Sequence, residues 1–317
     1  MSAPDVSVVI PCYSERRWEQ LRAAVASAWA QEPRPERVVV VVDHNPALLA
    51  RAERELPGTT VVANESERGA SGARNTGVRH TTSRFIALLD DDATARPGWL
   101  AGLLAPFADP GVVGTGGAIA PAWERGRPGW FPDEFLWVVG ASYRGMPTEQ
   151  APVRNVWSES MAVRRDAFLA VGGFRVGFGK VGERARPEDT DLCLRMGEDG
   201  GRWVYNPASV IDHSVPAARS TLRFFVARSA NEGRGKVELA RLNLGRESLG
   251  SEQDYARELP RAAARALLDG LRGRGAHRFG QAFALVAGAG AAGVGAGYEW
   301  AFGARRRKVL EPAVGTA

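Results

Sequence analysis

The sequence predicts an α/β fold in which helices flank a mostly parallel sheet, followed by a helical C-terminal extension. Apolar runs at 6–10, 38–42 and 84–89 are short, and each stops at a proline or an aspartate, as buried strands do. Segments with helical periodicity separate these runs, and such alternation is typical of a parallel sheet. Ligands of such sheets bind beyond the carboxyl ends of the strands, so the residues after each run are candidates for a functional site.

Local signals predict the remaining elements. Ser14 is a candidate N-cap for a helix that runs to Ala30. The segment Gly111–Pro152 is rich in glycine, proline and tryptophan, so we expect loops that bend over the site. Further strands are expected at 59–63 and 158–163, and further helices at 72–80, 165–171 and 188–196.

Composition indicates an ordinary globular protein of 317 residues, with 44% apolar and 24% charged residues. The net charge of +5 suits phosphate-bearing substrates or an anionic membrane surface. No zinc-finger spacing or RNA-binding aromatic motif occurs, so nucleic acid is not expected as a partner. Cys12 and Cys193 lack metal-ligand spacing and are expected to be reduced, buried thiols. The N-terminus has no apolar signal-peptide core, so secretion by that route is not expected.

A composition change near residue 216 predicts a domain boundary, with one domain at 1–215 and a helical, basic extension at 216–317. Residues 219–236 interleave five basic side chains with apolar ones, which suits either an amphipathic helix on anionic headgroups or a solvated basic face. Residues 281–298 are uncharged and approach the ~20-residue length of a membrane span, but their glycines lower the hydrophobicity. An interfacial segment and a packed helix are the two expectations for them.

The run Asp90-Asp91-Asp92 is the strongest chemical signal in the chain. It ends a predicted buried strand, where three adjacent unpaired carboxylates would repel one another and pay for burial. A divalent cation removes that cost, and hard oxygen ligands suit Mg²⁺ or Mn²⁺. Because Mg²⁺ is often held by one or two carboxylates together with substrate phosphates, the run predicts a metal that carries a diphosphate. An acidic turn in water is the alternative.

Several further motifs accompany this run in a fixed order: SVVIPCYSE, VVVVVD, GASGARNTG, LLDDDATARPGWL, AVRRDAFLAVGGF and PEDTDLCLRM. Together they resemble the family 2 glycosyltransferases over about residues 6–213. The resemblance implies the GT-A fold, with a Rossmann-like, mostly parallel sheet, and inverting sugar transfer from a nucleotide-diphosphate sugar. The stretch 134–140 adds similarity to the branch that extends polyprenyl- or dolichyl-phosphate-linked sugars.

The resemblance assigns the nucleotide site. Asp43 would accept a hydrogen bond from the base, usually uracil, although a turn or N-cap role is the alternative. Arg74 follows small residues that open a helix, and it would reach the base or a phosphate. Asn75 would either join it or pin the loop. Pro11 and Tyr13, at the end of the first strand, would line the same site.

The resemblance also assigns the metal site, with Mn²⁺ or Mg²⁺ as Lewis acid and template for the leaving diphosphate. Asp90 would lie near the ribose and Asp92 would ligate the metal, while Asp91 shares either duty. Some members of the superfamily use a histidine at the position of His213 as an additional ligand, and a purely structural histidine is equally expected.

A third group concerns the acceptor. Asp189 matches the family's general base, which takes the proton of the attacking hydroxyl, and its helix face is apolar and should point inward. Glu188 would orient Asp189 or contact the acceptor. Asp191 has Arg195 at i+4, so we expect a structural salt bridge there. Glu159 is a candidate for the hydroxyls of the donor sugar.

These observations predict a metal-dependent inverting glycosyltransferase that uses a nucleotide-diphosphate sugar, with a UDP-sugar expected. Its acceptor would be a lipid-linked sugar in cell-envelope glycan synthesis or a soluble small molecule. A sugar nucleotidyltransferase is the alternative enzyme, but 11–14 lacks its glycine-rich phosphate loop. The intact carboxylates disfavour a non-catalytic binding module. The stretches 219–236 and 281–298 would act as two weak anchors. Together they predict a cytoplasmic protein held peripherally at the cytoplasmic face of a membrane.

Overall fold

The computed structural model describes residues 5–181, 184–241 and 250–307. In chain order, its strands are β1 Val6–Cys12, β2 Arg37–Val42, β3 Thr60–Ala63, β4 Phe85–Leu89, β5 Ala93–Ala95, β6 Val112–Trp123, β7 Ala151–Val153, β8 Ser160–Arg164, β9 Gly179–Val181, β10 Arg184–Arg186 and β11 Arg202–Val215. Its α-helices are α1 Trp18–Trp29, α2 Pro46–Glu55, α3 Ala70–Arg79, α4 Trp99–Leu104, α5 Arg165–Ala170, α6 Glu188–Gly197, α7 Leu222–Arg241, α8 Gly250–Leu271 and α9 His277–Arg307.

The central sheet has the order β3-β2-β1-β4-β8-β6-β11-β5, and β7 also pairs with β11. Strands β3, β2, β1 and β4 are mutually parallel, and β6 is parallel to β11. Strand β8 runs antiparallel between β4 and β6, while β5 and β7 are antiparallel to β11. The predicted mostly parallel α/β sheet is therefore confirmed.

The apolar strands are buried on both faces, as a parallel sheet covered by helices requires. Val8 and Val40 belong to one hydrophobic cluster, whereas Val9 and Val39 belong to a second cluster on the other face. This alternation explains why β1 and β2 read as continuous apolar runs in the sequence. Cys12 and Cys193 are free and buried, as expected.

The first strand continues through Pro11 to Cys12, beyond the predicted stop. Pairing of β1 with β4 ends at Val9, so a residue without an N–H loses no ladder bond on that side. Ser14 does not cap a helix through its side chain. A 3₁₀ turn, Glu15–Arg17, comes first, and α1 begins only at Trp18.

Strand β6 corrects the expectation of loops throughout 111–152. Gly114 and Gly116 lie within this twelve-residue strand. Both positions need glycine because large side chains pack directly onto the strand backbone there. A Cβ atom on Gly114 would overlap the Trp203 ring, and one on Gly116 would overlap Val156. Composition alone could not distinguish glycine that makes room for a neighbour from glycine in a loop. The rest of the segment consists of turns, a 3₁₀ helix at 133–139 and the short β7.

The C-terminal helices pack onto the sheet domain. Phe225 of α7 contacts Phe131 and Phe135 and belongs to the main hydrophobic cluster. Helices α7 and α9 approach so closely that a Cβ on Gly233 or on Gly295 would overlap a backbone carbonyl of the opposite helix. Gly295 of α9 therefore has a packing cause. The domain boundary at 215/216 stays a prediction.

Candidate active site

The polar residues predicted from the ends of β1, β2 and β4 meet at one edge, because these parallel strands are neighbours in the sheet. Asp43 follows β2, and the aspartate run follows β4. The start of α6 brings in Glu188 and Asp189, and β11 brings in His213.

Asp43 is held by the loop that precedes α3. Its carboxylate accepts hydrogen bonds from Asn64 Nδ2 at 2.6 Å and from the Gly69 amide at 2.9 Å. His44 Nδ1 lies 2.8 Å from the same carboxylate. Asn45, not Asp43, caps α2, so the N-cap alternative for Asp43 is wrong. Asp43 thus fixes this loop at the edge where the nucleotide base is predicted.

Arg74 is buried at the centre of the site, with only 3% of its side chain exposed. One guanidinium nitrogen donates to Asp90 Oδ1 at 2.7 Å, and another lies 3.7 Å from Glu188 Oε1. Burial alone would lower the pKa of Arg74, but Asp90, Asp189 and Glu188 raise it, so the group stays charged. Arg74 Nε and Nη1 have no hydrogen-bond partner among the described residues. Two donors of this buried guanidinium are therefore unused in the structure.

Asn75 pins a loop, as one of its two predicted roles requires. Its Nδ2 donates to the Phe174 carbonyl at 2.8 Å, and its Oδ1 accepts from the Phe174 amide at 2.9 Å. Both functional ends of the amide are therefore engaged by one backbone unit. The adjacent Gly173 has φ of 69°, a conformation that favours glycine in this turn.

Arg17 bridges two carboxylates of the aspartate run, a contact that the sequence did not predict. Its Nη1 lies 2.7 Å from Asp91 Oδ1 and 3.1 Å from Asp92 Oδ2. The other oxygen of Asp91 is buried without a hydrogen-bond partner. Burial raises the pKa of Asp91 to about 7, although Arg17 opposes the change. In the sequence, one feature could have indicated this contact: Arg17 follows the first strand, and the end of that strand lies at the same edge of the sheet as the aspartate run.

His213 lies beside Asp92 because strand pairing puts it there. It stands opposite Ala93 in the β11–β5 register, and its Nε2 is 3.5 Å from Asp92 Oδ1. Burial would lower the pKa of His213, but Asp92 and Glu159 raise it. In turn, burial would raise the pKa of Asp92, but His213 and positive neighbours lower it. His213 Nδ1 has no hydrogen-bond partner among the described residues.

The donor set fits a metal ion that a ligand must complete. Asp92 and His213 supply oxygen and nitrogen ligands at one point, and Asp91 offers an unpartnered buried oxygen nearby. Within the described ranges, no group of three or more histidine, cysteine or acidic side chains is arranged to hold a metal by itself. Two protein ligands with substrate phosphates are an ordinary arrangement for Mg²⁺.

Helix α6 separates its two aspartates into different environments. Asp191 is fully buried and pairs with Arg195 at 2.7 Å and with Arg175 at 3.0 Å, so the predicted structural salt bridge is present. Asp189 accepts hydrogen bonds from Ser158, while its Oδ1 is buried without a partner. Burial raises the pKa of Asp189, although Arg74 and Ser158 oppose the change. Asp191 Oδ1 also lacks a hydrogen bond, but both oxygens of Asp191 lie within 3.0 Å of arginine nitrogens. Asp189 is therefore the aspartate of α6 whose unpartnered oxygen has no such ion pair among the described residues.

Glu188 and Glu159 complete the acidic cluster. Burial and the neighbouring Asp189 raise the pKa of Glu188 to about 8. Burial raises the pKa of Glu159 to about 7, against the opposing effect of His213. Glu159 Oε2 has no hydrogen-bond partner among the residues described. Gly140, with φ of 72°, lies against both Glu159 and His213, where a Cβ would be only 3.0 Å from His213 Cε1.

A mostly parallel sheet with the motif Asp-x-Asp at its edge, here Asp90-Asp91-Asp92, is typical of GT-A glycosyltransferases. The sequence profile of Glycosyl transferase family 2 matches residues 7–172, which is more than half of the chain. The chain belongs to this family and is a glycosyltransferase of the nucleotide-sugar-dependent class, as the motifs predicted.

Two curated relatives illustrate the range of acceptors. The glucosyl-dolichyl phosphate glucuronosyltransferase of Haloferax volcanii is 33% identical over 237 residues, covering 73% of this chain and 76% of the relative. The pre-mycofactocin glycosyltransferase of Mycobacterium tuberculosis is 32% identical over 241 residues, covering 74% of this chain. This chain spans only 47% of the length of that second relative.

Two solved structures confirm the fold. The mannosyltransferase PcManGT from Pyrobaculum calidifontis, in complex with GDP-Man and Mn²⁺, matches 91% of this chain and 87% of its own, with a TM-score of 0.54 and 20% identity. GalNAc-T7 with UDP, GalNAc and Mn²⁺ matches 81% of this chain, with a TM-score of 0.53 and 18% identity. This chain spans 54% of that second structure.

Proposed function

We propose that this protein is an inverting glycosyltransferase that moves a sugar from a UDP-sugar to the hydroxyl of a lipid-linked acceptor. The observation that carries the proposal is that His213 and Asp92 lie 3.5 Å apart in the same buried cluster as Asp189, whose Oδ1 has no hydrogen-bond partner among the described residues. Residues 1–215 would form the nucleotide-sugar and catalytic domain, and 216–317 the membrane-associating extension.

The donor would bind across the ends of β1, β2 and β4. Asp43 and Tyr13 would contact the base, Asp90 the ribose, and Pro11 would line the same edge. A bound Mn²⁺ or Mg²⁺ would act as a Lewis acid on the leaving diphosphate. Asp92 and His213 would hold it, with Asp91 in reach. The free donors of Arg74 would add positive charge beside the phosphates, and the unpartnered oxygen of Glu159 would accept a hydroxyl of the sugar.

The acceptor hydroxyl would lose its proton to Asp189. An unpartnered carboxylate oxygen can receive a proton, whereas the carboxylate of Asp191 is committed to two arginines. The hydrogen bonds from Ser158 would hold Asp189 in one orientation. Glu188 would keep its proton near neutral pH and contact the acceptor or Asp189.

The outward face of α9 supports a membrane-bound acceptor. Among the described residues, His277–Gly303 is the one helical stretch long and apolar enough to cross a bilayer, and 22% of its most apolar window is buried. Core helices share this length and composition, so the exposure of the side chains decides the argument. The outward side chains include Phe283, Val286, Val294 and Trp300, which are 60%, 66%, 73% and 75% exposed. The charged Glu299 turns toward Arg234 and Arg241 of α7 instead.

Several basic residues of 219–236, for which anionic headgroups and a solvated face were the two expectations, have partners within the protein. Arg228 and Lys236 pair with Glu232 on α7 itself. Arg219 lies close enough to the active site to lower the pKa of Asp92. We therefore propose α9, supported by exposed Leu267 and Leu271 at the end of α8, as the main anchor. It would lie in the interface plane at the cytoplasmic face, because its inner side packs on α7.

A soluble small-molecule acceptor is the second candidate, favoured by the similarity to the pre-mycofactocin glycosyltransferase. The test incubates the purified chain with Mn²⁺, a panel of nucleotide sugars, and either a polyprenyl-phosphate-linked sugar or soluble acceptors, followed by mass spectrometry of the products. Transfer from a UDP-sugar to the lipid-linked acceptor is expected. Transfer only to soluble acceptors would reject the lipid assignment, and formation of a nucleotide sugar from a sugar phosphate would reject the transferase reaction.

A further inference from the structure

Arg17 lies where the turn after β1 meets the aspartate run. A single nitrogen, Nη1, is within 2.7 Å of Asp91 and 3.1 Å of Asp92, and the side chain is 24% exposed. The guanidinium carbon lies 5.4 Å from the centre of the Tyr13 ring. Burial alone would lower the pKa of Arg17, but Asp91 and Asp92 raise it, so the group is a permanent cation.

This geometry is that of a counter-cation shared between two carboxylates. A specific arginine–carboxylate pair usually presents two nitrogens to one carboxylate, and Arg17 presents one nitrogen to two. Adjacent carboxylates that are buried need positive charge or protons. The chain therefore carries its own cation at the oxygen of Asp92 that faces away from His213, since His213 approaches Oδ1 and Arg17 approaches Oδ2.

We propose that Arg17 is the cation that a divalent metal displaces from Asp92, and that the released guanidinium then binds the diphosphate of the donor. The proposal rests on the metal role proposed above for Asp92. A metal on Asp92 repels Arg17, and guanidinium groups match phosphate oxygens well. Tyr13 provides an aromatic surface that keeps the released side chain at the site. Binding of metal and donor would therefore be coupled, each favouring the other.

The matched variants are Arg17→Gln and Arg16→Gln, because Arg16 lies on the same turn, is exposed and carries the same charge. Isothermal calorimetry measures Mn²⁺ alone, and then UDP at saturating Mn²⁺. We expect Arg17→Gln to bind Mn²⁺ at least tenfold more tightly than wild type and UDP at least tenfold more weakly. Mn²⁺ should also raise the melting temperature of Arg17→Gln more than that of wild type, whereas Arg16→Gln should match wild type in every measurement.

Arg17→Lys is the second variant, in case Arg17→Gln is too unstable to purify. It keeps the charge and loses the planar fork, so Mn²⁺ affinity should stay near wild type while UDP affinity falls. Unchanged Mn²⁺ affinity in Arg17→Gln, with weaker UDP binding, would make Arg17 a phosphate ligand only and overturn the displacement. If Mn²⁺ binds neither wild type nor Arg17→Gln, with or without UDP, the metal role of Asp92 fails as well.

Discussion

Replacing Asp189 by asparagine tests the proposed base directly. The change keeps the shape and the hydrogen bond from Ser158 but removes the ability to accept a proton. A well-placed base contributes ~10²–10⁴-fold in rate, or about 3–5 kcal/mol of transition-state stabilisation. We expect Asp189→Asn to lose a rate factor of this size, because Asp189 Oδ1 has no competing hydrogen-bond partner among the described residues. UDP affinity should stay near wild type, because the base faces the acceptor.

The assay is sugar transfer followed by product chromatography, with calorimetry for UDP. The matched control is Asp199→Asn, which removes the same charge from an exposed turn just after α6 and should leave the rate unchanged. Burial raises the pKa of Asp189, and the base works only as a carboxylate, so kcat/KM should fall as pH drops through a value above the ordinary ~3.9 of aspartate. Turnover of Asp189→Asn within a few-fold of wild type would refute the assignment.

Four further outcomes are expected. Asp92→Ala should remove most Mn²⁺-dependent UDP binding while circular dichroism stays native; unchanged calorimetric affinity would contradict the metal role. Asn75→Ala breaks both hydrogen bonds to Phe174 and should cost about 1–3 kcal/mol in urea denaturation, with little change expected if the loop were held elsewhere. The double change Phe283→Gln with Val286→Gln should reduce flotation with anionic liposomes without changing the melting temperature, because both side chains point outward; full flotation of this variant would reject α9 as the anchor. Flotation of wild type should weaken with salt, since attraction at the surface is worth ~1 kcal/mol per basic residue.

The edge of the sheet was predictable because a few strand ends determine it. The stretches 8–10 of β1, 38–42 of β2 and 85–89 of β4 are uninterrupted apolar runs, and each is followed closely by the polar residues that meet at the site. The role of Asp191 was also predictable, since an i+4 arginine is a local signal. These features could be predicted because they depend on residues that are close together in the sequence.

Other features depend on partners distant in sequence. Position 114 of β6 is glycine because the Trp203 ring occupies the space of a Cβ atom. No residue near Gly114 in the sequence indicates that contact. Arg17 reaches Asp91 across 74 positions, and Asn75 reaches Phe174 across 99. Neither contact has a periodic signature. The sequence could identify the elements that bring these residues together, but not the pairs that form once they meet.

The glycines of α9 lie on two faces of the helix, one packed against the protein and one open. Gly288 lies against Phe135 and Phe225, and Gly295 lies against the α7 backbone, so these glycines allow close packing inward. Gly290, Gly293 and Gly297 have no atom within 4 Å of an added Cβ, so packing does not explain them. A helix that only covered a soluble domain would stabilise itself with charged or polar residues at such outward positions. Small and apolar residues there cost helix propensity and leave a continuous apolar surface roughly 30 Å long. An interfacial anchor requires such a surface, so the outward face of α9 supports the proposal that the acceptor is linked to a membrane lipid.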